Sequence, residues 1–76
     1  MQDRTQTVFR FFERTKHSLT LQTKIQALAA TDHRGLWIIA LENGYPVTYA
    51  EFVLACRTIE IDTLPSVVAR IVHTLQ

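Results

Sequence analysis

The sequence predicts an all-α protein, a compact bundle of four to five short helices, and three observations carry that prediction. Apolar residues recur at helical spacing in successive stretches between Val8 and Leu75. Residues that cap helices, among them Ser18, Asp32, Thr48 and Asp62, stand just before several of those stretches. The span LWIIALENGYPVTYAEF, from Leu36 to Phe52, is punctuated as helix, turn and helix by independent local signals that agree. With 76 residues there is room for one domain, residues 1–76, and one modest core. A chain so small is marginally stable alone, so oligomerisation or a bound partner is expected.

The first helix is expected from near Asp3 or Thr5 to about Lys16, with Val8, Phe9 and Phe12 on its apolar stripe and Phe11 at the margin. Leu19 joins that stripe if the helix extends. Arg10, Glu13, Arg14 and His17 project to the other side, where Glu13 can bridge to Arg10 or His17. Ser18 is a plausible N-cap for a second helix from Leu19 to Ala30, with Leu21, Ile25 and Leu28 on one face. Thr31 or Asp32 then caps a third helix, about His33 to Asn43, with Gly35 in its first turn. This helix is apolar nearly all round: Leu36, Ile39 and Ala40 make one face, while Trp37, Ile38 and Leu41 cover much of the other. Such a helix needs cover on two sides. The second cover has to come from the C-terminal segment, another subunit or a ligand protein.

Gly44 falls at the C′ position after Asn43, where a left-handed conformation is cheap without a Cβ. Tyr45 can then fold back over Ala40 and Ile39, and Pro46 blocks continuation of the helix. Thr48 and Glu51 have the T-x-x-E spacing of a capping box, with Val47 and Phe52 at the flanking staple positions. The fourth helix therefore starts after Thr48, turns Tyr49, Phe52, Val53 and Cys56 inward and ends between Arg57 and Glu60. Ile59 and Ile61 alternate with polar neighbours, consistent with a brief extended connection. Asp62 or Thr63 is expected to cap a fifth, amphipathic helix within residues 63–76, with Pro65 tolerated in its first turn. Leu64, Val67, Val68, Ile71, Val72 and Leu75 form its stripe, and Arg70, His73 and Thr74 lie opposite. It is expected to pack over Trp37 and Leu41 of the same chain, or else to supply a dimer seam.

Net charge is +1, which gives no general drive toward nucleic acid or anionic membrane. The charge is unevenly placed: residues 1–34 sum to +3 and residues 35–76 to −2, which reads as solvated faces or as head-to-tail complementarity. Cys56 is the single cysteine, so no intrachain disulfide forms and a reducing compartment is expected. The polar start MQDRTQT has no signal-peptide core, and no apolar run approaches the ~20 residues of a membrane span. A soluble cytoplasmic protein without membrane contact is the expectation.

Catalytic and metal-binding signatures are missing. His17, His33 and His73 fall in three separate expected elements without the close pairing of a metal site. Cys56, on an apolar face, reads as a buried, inert thiol. Two glycines exclude the phosphate-cradling motifs, so no enzyme and no cofactor are expected. The helix, turn, helix unit invites comparison with DNA readers, but the exposed positions after Thr48 offer Glu51 and Arg57 and almost nothing else basic. Nucleic acid is not the expected partner.

One resemblance emerges from FFERTKHSLTLQTKI followed by LWIIALENGYPVTYAEF. These segments resemble the Nif-eleven-like family of small nitrogen-fixation-associated proteins and leader peptides. The similarity lies in Phe11 or Phe12 with Glu13, in Leu21 with Gln22, in Ala40, Glu42, Gly44 and Tyr45, and in Thr48 with Glu51. It covers residues 8 to 55, within a core of 8–57. The resemblance implies either a free-standing protein or a leader read by modifying enzymes ahead of a cysteine-containing core peptide. This chain departs from the leader form, since no glycine follows Gly44 and residues 64–76 read as an amphipathic helix. The expected function is a non-enzymatic helical adaptor or regulator that binds a protein partner or forms a homodimer. The expected binding residues are Trp37, Ile38, Leu41, Tyr45, Val68, Ile71, Val72 and Leu75. The alternatives are a leader-like recognition element for a maturation enzyme and a small DNA-binding regulator.

Overall fold

The starts of the second, third and fourth helices are each held by a hydrogen bond to a named capping side chain. The computed structural model describes residues 4–76; the expected start at Asp3 lies outside them. Helix α1 spans Arg4–Thr15 and buries Val8, Phe11, Phe12 and Thr15. Phe11, expected at the margin, is wholly buried, and Phe9 is the half-buried member of the stripe. The Thr15 hydroxyl donates to the Phe12 carbonyl at 2.5 Å, which makes its burial affordable. Glu13 pairs with Lys16 at 2.9 Å rather than with Arg10 or His17.

Helix α2, Leu19–Gln26, begins as expected at Ser18, whose hydroxyl accepts from the Leu21 N–H. It stops four residues short of Ala30. Residues Ala27 to Ala30 are good helix formers, yet carbonyls in and just after the last turn of α2 meet another element: the Arg70 guanidinium donates to the carbonyls of Ile25 at 3.0 Å, Gln26 at 3.0 Å and Leu28 at 2.5 Å. Leu19 lies exposed, outside the α1 stripe.

Helix α3, His33–Glu42, is capped by Asp32, whose carboxylate accepts from the Gly35 N–H at 3.0 Å. A Cβ at Gly35 would stand 2.5 Å from an Asp32 carboxylate oxygen, so glycine is what lets the cap sit this close. At the other end Gly44 has φ +86°, and the Tyr45 N–H returns to the Ala40 carbonyl at 3.0 Å. Helix α4, Tyr49–Thr58, opens on the complete capping box: Glu51 N–H to Thr48 Oγ1 at 3.1 Å and Thr48 N–H to Glu51 Oε1 at 2.8 Å. Val47 and Phe52, on either side, are both buried.

The last helix departs from expectation at its start. Ile61–Thr63 forms a short 3-10 turn, with the Thr63 hydroxyl bound back to the Glu60 carbonyl. Pro65 takes the cap position of α5, Ser66–Val72, and a second 3-10 turn covers His73–Leu75. The extended connection expected around Ile59 is present, since Ile59 and Glu60 are both extended.

These elements assemble an all-α bundle in which α1 packs chiefly on α4 and α5 chiefly on α2, while α3 adjoins both α2 and α4. The rings of Phe12 and Phe52 meet edge to face at 5.9 Å where α1 crosses α4. Leu36, Ile39, Ile25, Val68, Ile71 and Val72 complete the same core. A Cα radius of gyration of 11.0 Å is what a folded chain of this length should have.

Candidate functional site

Helix α3 decides where the candidate surface lies. At about 100° per residue, Leu36, Ile39 and Ala40 fall on one side and are buried. Ile38 and Leu41 fall on the opposite side, and they remain 46% and 38% exposed. Among the described residues none supplies the second cover that this helix needs, since Ile38 and Leu41 stay exposed. The C-terminal helix, expected over Trp37 and Leu41, lies against α2 instead, drawn there by Arg70. Its tail reaches only the start of α3, where the His33 imidazole meets the Thr74 hydroxyl.

Trp37 flanks this ridge and is held firmly. Its indole N–H donates to the Val47 carbonyl at 2.8 Å, and its ring meets Tyr49 edge to face at 5.5 Å. The Arg34 guanidinium lies over the other partner of that pair, 4.9 Å from the Tyr49 ring centre. Beside Trp37 and Leu41 runs an open groove of about 380 Å³ bounded by Pro46, Val47, Thr48 and Glu51. Arg4 closes one end by donating to the Pro46 carbonyl at 2.9 Å.

The eight residues expected to bind a partner do not form one surface. Trp37, Ile38 and Leu41 come together on α3. Tyr45 is half-buried, with its ring 5.5 Å from Phe11, and serves the edge of the core. Val68, Ile71 and Val72 are wholly buried, which corrects the expectation that they face a partner: the fold has already spent their apolar surface inside the bundle. Leu75 is half-buried against the same core. Sequence reasoning missed Arg34 and Glu42, which border Ile38 and Leu41 on the exposed face of α3. Their i, i+4 relation to Ile38 was the available signal.

A second groove, about 440 Å³, opens between the end of α1 and the end of α4. Phe9, Ile59 and Leu64 supply its apolar surface, and Glu13, Lys16 and Glu60 its polar rim. Glu13 sits below its usual carboxylate range because Lys16 hydrogen-bonds to it and adds a positive charge. Cys56 is wholly buried, and burial pushes its thiol up to about 12. At neutral pH it is a packed thiol and no nucleophile. Among the described residues no three His, Cys, Asp or Glu are grouped to hold a metal ion, and no helix is long and apolar enough to cross a membrane. Comparison with known proteins returns no relative, since no family model, curated protein or solved structure matches the chain.

Proposed function

We propose that this chain is a non-enzymatic helical protein-binding adaptor or regulator of the Nif-eleven-like type, acting in the cytoplasm through the exposed face of α3. One observation carries the reading. Ile38 and Leu41 stand exposed beside a fixed tryptophan on a helix whose opposite face is already buried. Exposed apolar side chains gathered on one rigid element next to an aromatic anchor suit a contact surface better than solvent. The family likeness is supported by what its residues do here, since Ala40, Gly44 and Tyr45 close the turn and Thr48 with Glu51 opens the next helix. The compartment is supported by the free, buried thiol of Cys56.

The test is site-specific photocrosslinking in the native cell, with the reactive group at position 38 and a control at Thr20 on the exposed surface of α2. A crosslinked protein at 38, absent at 20 and lost when Leu41→Glu is added, is the expected result. Helical circular dichroism should be unchanged in each variant. Equal or absent crosslinking at both positions would remove the α3 face as a binding surface.

A further inference from the structure

The exposed face of α3 carries a charge pattern that selects one partner. Arg34, Ile38 and Glu42 are spaced i, i+4 and i+8, and Leu41 lies beside Ile38, so a cation and an anion bracket an apolar centre. Arg34 and Glu42 are separated by about 12 Å along the helix axis, at 1.5 Å per residue. All four side chains are solvent-exposed. Among the described residues neither Arg34 nor Glu42 has an ion-pair partner in its own chain; the pair that forms is Lys16 with Glu13. The Arg34 guanidinium carbon lies 4.9 Å from the Tyr49 ring centre, and a guanidinium carries five N–H donors in all.

A stripe ordered cation, apolar, apolar, anion is self-complementary when two copies meet antiparallel. Reversing one helix about a two-fold axis at Ile38 sets the two Ile38 side chains on each other, with the two Leu41 side chains flanking them. The same operation brings each Arg34 to the Glu42 of the opposite copy, within the reach of the arginine stem. A parallel pairing would set Arg34 on Arg34 and Glu42 on Glu42. We infer that the partner of the α3 face is a second copy of this chain, docked antiparallel in an isologous two-fold contact with reciprocal Arg34 to Glu42 ion pairs. This rests on the reading of α3 as a protein-binding face and names what binds there.

The contact is one helix wide, well below the ~800 Å² per partner of a standard stable interface. The dimer is therefore expected to be of the weak, transient kind that fills with concentration. A weak isologous contact is what an adaptor uses when its assembly has to respond to its own abundance.

Sedimentation velocity across about 10 µM to 1 mM protein tests the geometry by charge reversal. Arg34→Glu places two acids at each end of the seam and Glu42→Arg two bases. Each should raise the dissociation constant about tenfold, the equivalent of about 1.4 kcal/mol. The double variant restores opposite charges at both ends and should recover the wild-type constant. An equimolar mixture of the two single variants should form a heterodimer with both pairs restored. Ile38→Asp should leave a folded monomer at every concentration.

A wild-type protein that stays monomeric to 1 mM overturns the second copy as occupant. Crosslinking from position 38 to a different protein would then leave the binding face itself standing. A dimer indifferent to both charge reversals, or one that the mixture fails to restore, overturns the antiparallel α3 contact.

Discussion

Arg70→Met tests the long-range closure on which the fold depends. Methionine keeps an unbranched apolar stem of similar bulk and removes the guanidinium that serves the carbonyls of Ile25, Gln26 and Leu28. One terminal nitrogen has two N–H groups, so two of the three carbonyls are served well at any moment. A hydrogen bond from a charged donor contributes about 1.5–3 kcal/mol. Arg70 is only half-buried and water can reach the Gln26 carbonyl, which reduces the loss for the pair to about 2 kcal/mol. Stability at the usual 0.05–0.15 kcal/mol per residue would be about 4–11 kcal/mol for this chain, so the loss is a fifth to a half of the whole. At 4–8 °C per kcal/mol the expected fall in Tm is about 8–16 °C. Urea and thermal unfolding followed by circular dichroism measure it, with Lys24→Met as an exposed control. A fall no larger than that of the control would refute the assignment of α2's end to Arg70.

Two further outcomes follow from local chemistry. Thr48→Ala removes one half of the reciprocal cap on α4 and should cost about 1 kcal/mol; Glu51→Ala should cost less after Thr48 is gone, and additive losses in the double-mutant cycle would contradict the reciprocity. Cys56 titrates near 9 when unfolded and is raised to about 12 when folded, so above pH 9 the unfolded state holds fewer protons and stability falls as pH rises. Between pH 9 and 12 the wild type should therefore lose up to about 1.4 kcal/mol per pH unit more than Cys56→Ala does, and parallel pH profiles for the two proteins would refute it.

The elements legible in the sequence are those whose signals lie within a few residues. Ser18, Asp32 and the Thr48 with Glu51 pair each hold their helix starts by bonds spanning three residues, and Gly44 ends α3 through its own backbone. The exposed apolar side of α3 was legible for the same reason, since Trp37, Ile38 and Leu41 show it by spacing alone. What sequence spacing could not show is which surface the C-terminal stripe would cover. Val68, Ile71 and Val72 fit any apolar face, and the choice of α2 follows from Arg70 finding carbonyls more than forty positions away. That same bond ends α2 before an alanine-rich stretch that propensity would have kept helical. Phe11 was misplaced because α1 is contacted from more than one side, so its buried arc is wider than one stripe. At the fifth helix, the Thr63 hydroxyl turned back to Glu60 and left the cap position to Pro65.

The long reach of the C-terminal segment also sets the order in which the molecule is completed. Arg70 and Thr74 bind carbonyls between Ile25 and Ala30, and Gln76 donates to the carbonyls of Cys56 and Ile59. Loops of more than forty residues are costly to close before other contacts shorten them, whereas the capped turn from Ala40 to Glu51 needs only neighbours. The α3 to α4 corner is thus expected to form early in folding and the C-terminal clasp to close late, after the transition state. Its hydrogen bonds should then act as a brake on unfolding: weakening them is expected to hasten the escape from the native state and to leave the rate of reaching it nearly untouched.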